Sequence, residues 1–152
     1  MDVVVGTLED HDTAVYTQMV FERNGISAEI VPHEVLLSYP VSRSLSIVFP
    51  ESQRFTAGLQ EAAIPEDPTS SDPRHIMTYN AYSGTGNVTA ELVYVNYGRL
   101  EDFQLLESMG VNVQGKICIA RYGSVFRGNK AFFAEERGAV GLIIYSDPID
   151  DG

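Results

Sequence analysis

The second half of the chain carries the clearest alternation of apolar and polar positions. Leu92-Val93-Tyr94-Val95-Asn96-Tyr97, rich in β-branched and aromatic residues, predicts a strand. Leu100, Phe103, Leu106 and Met109 then recur every three residues, with Glu101 and Asp102 in the first turn and Gly110 at the stop, as in an amphipathic helix. Lys116–Ala120 reads as a short buried strand. Gly128–Arg137, with Phe133 and Ala134 inward, reads as a helix stopped by Gly138, and Val140–Tyr145 as a third strand ended by Asp147-Pro148. Strand, helix, strand, helix, strand in this order predicts parallel pairing with right-handed crossovers, each helix covering a sheet face.

The first half is less regular. Asp10 to Asp12 followed by Tyr16, Met19, Val20 and Arg23 at helical spacing, with Asn24-Gly25 as a stop, predict a helix over 11–24. Near alternation from Ser27 to Leu37 predicts a strand, broken by Ser38-Tyr39-Pro40. A second β region is expected over Ser44–Phe55, a Pro-rich acidic surface loop over 61–75, and a short strand over Ile76–Tyr82 leading into a turn at Ser83–Asn87. Asp150-Asp151-Gly152 reads as loop, and no internal repeat is present.

Composition narrows the function without naming it. The 152 residues suit one domain, a size that buries roughly two thirds of its unfolded surface. Ten Lys and Arg against 21 Asp and Glu give a net charge of −11, which argues against nucleic acid or anionic membrane as the main partner. One cysteine, Cys118, excludes an internal disulfide framework and a CxxC zinc site. No apolar run approaches the roughly 20 residues that span a bilayer.

Candidate chemistry is sparse. Gly123-Ser-Val-Phe-Arg-Gly-Asn-Lys130 has the outline of a phosphate-binding loop, but its Lys comes one place late and Ala131 stands where a Ser or Thr would hold magnesium. Turn-forming glycines and a local positive spot of Arg121, Arg127 and Lys130 fit better. His11, His33 and His75 lack metal-ligand spacing, and the acids Asp147, Asp150 and Asp151 lack the order of a calcium loop. Cys118, inside Lys-Ile-Cys-Ile-Ala, reads as a small core residue, and no G-x-S-x-G elbow presents a serine. Glu101/Asp102 and Glu135/Glu136 are neighbours that point apart on a helix, so neither makes an acid–base pair. Asn87-Val88-Thr89 is an N-glycosylation sequon, with Asn87 as acceptor. Arg99 sits between a strand end and a helix start, where α/β sheets gather ligands and where a guanidinium suits a carboxylate. Position alone favours the plainer alternative, an ion pair with Asp102 or Glu101.

Three stretches, Leu92–Phe103, Gly115–Lys130 and Gly138–Pro148, closely resemble the protease-associated (PA, apical) domain of the glutamate carboxypeptidase II, folate hydrolase and NAALADase-like zinc peptidases, in the transferrin receptor-like superfamily. Glu34–Pro40 is similar to that family's passage into the apical domain, and Gly6-Thr7 to its turn before the first helix. The resemblance implies an α/β (α+β) fold: a mixed β-sandwich or sheet with a βαβαβ segment and flanking helices, plus a helix–strand piece of the peptidase domain. It places the edge of the peptidase domain at 1–37 and the PA domain at 38–152. By resemblance, the two zinc ions, their ligands and the general base belong to a region after residue 152. No cofactor is expected in this chain, which should not hydrolyse anything alone. Arg99 matches the family arginine that reaches the carboxylate of a C-terminal glutamate, an arginine that transferrin receptor lacks, and this reverses the plainer reading above. Gly98 stands where relatives carry Ala, a difference expected to matter little. The implied partners are the peptidase and dimerisation domains of a homodimeric whole and a C-terminal glutamate peptide or poly-γ-glutamate. The implied location is the extracellular or lumenal side of a type II membrane protein. The alternatives are a non-enzymatic interaction module, as in transferrin receptor, or a truncated gene product.

Overall fold

A computed structural model describes residues 6–73, 75 and 77–149. By packing, the chain forms two compact units, Met1–Gly84 and Thr85–Gly152.

The second unit follows the predicted order. Strands β3 (Leu92–Tyr94), β4 (Ile117–Arg121) and β5 (Gly141–Tyr145) form a parallel sheet in that order, with helices α2 (Leu100–Ser108) and α3 (Arg127–Glu135) in the crossovers. The register aligns Val93, Cys118 and Leu142 in one row across the sheet. Side chains alternate across a strand, so the positions on that face are 93, 95, 118, 120, 142 and 144. The buried cluster of Val95, Phe103, Val113, Cys118, Ala120 and Ala134 draws on that face and on both helices. Both helices therefore cover the same face, as two same-sense right-handed crossovers require. On the opposite face Leu92 and Tyr94 are exposed and Ile117, Ile119 and Ile143 are half-buried. Phe103 is the largest apolar side chain buried in the cluster, and burial of such a ring contributes about 1.5–3 kcal/mol.

In the first unit, α1 (Leu8–Arg23) begins earlier than the acidic run suggested. Thr7 and Asp10 cap it reciprocally: Thr7 Oγ1 accepts from the Asp10 amide at 3.4 Å, and the Asp10 carboxylate accepts from the Gly6 amide at 2.9 Å. Asn24 and Gly25, the latter at φ +78°, end it as expected. The strand predicted over 27–37 does not form. Alternation creates two faces, but a strand also needs a neighbouring edge. Here side chains take the carbonyls a neighbouring strand would use: Gln18 Nε2 donates to Ala28 O at 2.9 Å, and the Tyr82 hydroxyl donates to Leu36 O at 2.8 Å. The β region over 44–55 shrinks to a two-residue antiparallel pair, β1 (Ser46–Ile47) with β2 (Phe55–Thr56). Residues 77–82 form no strand, and Ile76 lies outside the described residues, as do Asp150 and Asp151. The described residues of 61–75 stay loop apart from a 3₁₀ turn at Pro68–Ser71, capped by the Asp67 carboxylate on the Thr69 amide.

No described residue of 6–84 is buried. Leu8, Leu36, Val41 and Phe49 are among its largely exposed apolar side chains. With so little apolar surface removed from water, little offsets chain entropy there, and local opening is inexpensive. Native-state hydrogen exchange is expected to be slowest at Val95 and Ile117, whose amides donate to Ile119 O at 2.9 Å and Glu91 O at 2.8 Å. It should be nearly unprotected over 26–84. Equal protection of both units would contradict this account.

Candidate functional site

The turn after β3 builds the site. The Val95 amide extends the ladder to Ile119, and the chain then reverses through two left-handed residues, Asn96 at φ +52° and Gly98 at φ +64°. Asn tolerates this region better than other side chains. The Gly98 amide donates to Val95 O at 2.8 Å and closes the turn. Arg99 follows as the N-cap of α2. A cation is unfavourable at a helix N-terminus, and Asp102 at the third helical position compensates it.

Asp102, only 7% exposed, accepts four hydrogen bonds: from the Arg99 amide (3.0 Å), Arg99 Nε (3.0 Å), Arg99 Nη2 (2.9 Å) and Asn96 Nδ2 (2.9 Å). Burial alone would raise its carboxyl. The Arg99 fork, the Arg99 amide and the Asn96 amide outweigh this and hold it at about 2. The remaining Arg99 nitrogen, Nη1, meets the exposed Glu101 at 3.3 Å. The position-based expectation of an ion pair is thus what the side chain makes, and Asp102 fixes the plane of the guanidinium.

The network continues through Asn96. Its Oδ1 accepts from Arg121 Nη2 at 2.8 Å, and its carbonyl accepts from the Arg121 amide at 2.8 Å. Arg121 also lies 3.6 Å from Asp147 and stacks over the Tyr97 ring at 4.2 Å, with Arg99 at 5.8 Å from the same ring. Of the positive spot expected from Arg121, Arg127 and Lys130, only Arg127 is exposed and Arg121 is half-buried. Lys130 is fully buried, and its ammonium donates to Tyr97 O at 2.5 Å and Gly123 O at 2.8 Å. The Gly123–Lys130 stretch therefore turns a carbonyl, not a row of amides, toward its lysine, which is the wrong polarity for a phosphate cradle. The Asp147 carboxylate pairs with Arg121 and accepts from the Ile149 amide at 3.1 Å.

Cys118 is buried as expected, and burial pushes its thiol up to about 11. Asn87 is exposed in the irregular stretch before β3, outside the network. A hollow of about 160 Å³ lined by Phe103, Leu106, Val113 and Arg137 has its main charges already matched, Arg137 to Glu107 at 2.7 Å. Among the described residues no three or more His, Cys, Asp or Glu side chains gather as a metal ion would require. Among the described residues no helix is long and apolar enough to cross a membrane.

Residues 88–152 match the PA domain family. Over 98% of its length the chain is 43% identical to a probable glutamate carboxypeptidase of Arthroderma benhamiae, and over 97% it is 34% identical to a glutamate carboxypeptidase 2 homolog of Caenorhabditis elegans. It is 37% identical over 83% of its length to the mouse aminopeptidase NAALADL1. The chain carries a PA domain and is homologous to glutamate carboxypeptidases. It spans about a fifth of the length of these curated relatives. A solved aminopeptidase from an Aneurinibacillus species shares its fold, with a TM-score of 0.55 and 23% identity over 97% of this chain and 29% of that structure. The α+β architecture of this PA-domain chain is consistent with that neighbour.

Sequence reasoning found Arg99 and its acidic neighbours but not Asn96, which joins the two arginines, nor the burial of Lys130. The available signal for Asn96 was its place in Tyr-Val-Asn-Tyr, where a strand ends in a polar residue able to adopt left-handed φ.

Because the folded Asp102 carboxyl lies at about 2, below the usual unfolded value near 3.9, it stabilises the fold above that value and loses its contribution as pH falls toward 2. Its contribution near neutrality is about 2–3 kcal/mol. Urea unfolding from pH 7 to 2 should show Asp102→Asn less stable than wild type at neutrality, with the difference shrinking steadily as pH falls from about 4 to 2. A constant difference would refute this assignment.

Proposed function

We propose that this chain is the PA-domain segment of a zinc-dependent glutamate carboxypeptidase. In this reading the PA domain lids the active site, and Arg99 holds the C-terminal glutamate carboxylate of the substrate. The supporting observation is the Arg99 guanidinium, whose plane is fixed by two bonds to buried Asp102 while Nη1 meets the exposed Glu101. A side chain held in this way loses little rotamer freedom on binding, so a carboxylate meets a prepared partner. Glu101 acts as the placeholder: a substrate carboxylate displaces it from Nη1 and takes over its charge. Hydrolysis, zinc binding and dimer contacts fall to the peptidase and dimerisation domains of the full-length protein.

In the full-length enzyme, Arg99→Ala should raise KM for a glutamate-ended peptide by an amount equivalent to about 1.5–3 kcal/mol. Glu101→Gln should lower KM severalfold, because it removes the competing carboxylate. An unchanged KM in Arg99→Ala would refute the clamp.

The sequon adds a statement about compartment. Exposed Asn87 would carry a glycan if the protein enters the secretory pathway on its way to the lumenal or extracellular side. Protein secreted from a eukaryotic host should then shift in gel mobility on glycosidase treatment, and Asn87→Gln should abolish that part of the shift. A wild-type band that does not move would count against this location.

A further inference from the structure

The proposed role of Arg99 depends on whatever fixes the turn that carries it. Lys130 is fully buried in α3, yet its ammonium donates to two carbonyls outside that helix. Tyr97 O belongs to the turn two residues ahead of Arg99. Gly123 O belongs to the loop two residues after Arg121. One ammonium thus joins the turns at the carboxyl ends of two adjacent parallel strands.

The stem of the side chain is fitted as closely as its head. A Cβ at Gly98 would lie 3.2 Å from Lys130 Cβ and 3.4 Å from its Cγ, at a backbone φ of +64°. Glycine here permits both the left-handed turn and the close approach of the lysine, so Gly98→Ala would not be a neutral exchange in this chain. The cations at this edge are matched one by one: Arg99 by Asp102 and Glu101, Arg121 by Asn96 and Asp147, and Lys130 by two carbonyls. That matching argues against a phosphate or sulfate site.

We propose that Lys130 is a positioning residue. By holding the Tyr97 carbonyl against the Gly123 loop, it fixes the Tyr97-Gly98-Arg99 turn and so sets the direction in which the Arg99 guanidinium points. This inference rests on the reading of Arg99 as the substrate arm. A methionine of similar length fills the space but donates to neither carbonyl, which removes the tie between the two turns and leaves the Tyr97-Gly98-Arg99 turn free to relax.

The test is a double-mutant cycle in the full-length enzyme, with Lys130→Met and Arg99→Ala made singly and together. KM and kcat are measured on an N-acylated dipeptide ending in glutamate. Lys130→Met is expected to raise KM about three- to tenfold with a smaller change in kcat, and to add nothing further in the Arg99→Ala background. A general structural role would raise KM by the same factor in both backgrounds. That outcome, or an unchanged KM in Lys130→Met, overturns the positioning role while leaving the clamp intact. An unchanged KM in Arg99→Ala overturns the clamp and this inference with it. If Lys130→Met does not fold, Lys130→Leu, shorter but likewise without a donor, takes its place in the same cycle under the same criteria.

Discussion

The carboxylate of Asp102, almost removed from solvent at the start of α2, is the point on which the carboxyl edge of the sheet depends. A buried charge is costly unless it is fully hydrogen-bonded. Here Arg99 supplies three donors and Asn96 a fourth. The same four bonds cap the helix, restrain the arginine and hold an asparagine in left-handed backbone. Asn96 then passes the constraint to Arg121 on the neighbouring strand. No single bond in this chain is exceptional, but each group has at least two partners, so removing one leaves a buried polar atom unmatched elsewhere.

Packing and polar order coincide in the second unit. The cluster around Phe103, Cys118 and Ala120 covers one face of the parallel sheet, and the polar network sits where those strands end. Parallel strands whose crossovers all step in the same direction bring their carboxyl ends to one edge, which is where α/β folds gather ligands. The first unit has no comparable core, and its local order comes from caps, side-chain bonds to carbonyls and a two-residue strand pair. Leu36, Val41 and Phe49 stay exposed in this unit, apolar surface of the kind that marks interaction sites.

The elements of residues 89–145 were legible because strands and helices there differ in period and are closed by glycines. Leu100, Phe103 and Leu106 could be little but helix, and Gly110 and Gly138, at φ +75° and +76°, mark real stops. The segment 27–37 was misleading because alternation records two chemically different faces and says nothing about a pairing edge. Lys130 was misleading for a different reason. An isolated lysine in a polar helix turn is normally solvated, and only the approach of two backbone carbonyls from distant turns makes its burial tolerable.

The sequence by itself determined the βαβαβ order, the core role of Cys118, the family resemblance and the location of Arg99 between strand and helix, because these follow from local periodicity and adjacent residue types. Only the tertiary structure decided that both helices share one face, that Asn96 links Arg99 to Arg121, and that Lys130 ties two turns together. Those relations join residues up to 33 positions apart, as in the bond from Lys130 to Tyr97. They depend on register and burial, and neither is written in the order of residues along a strand.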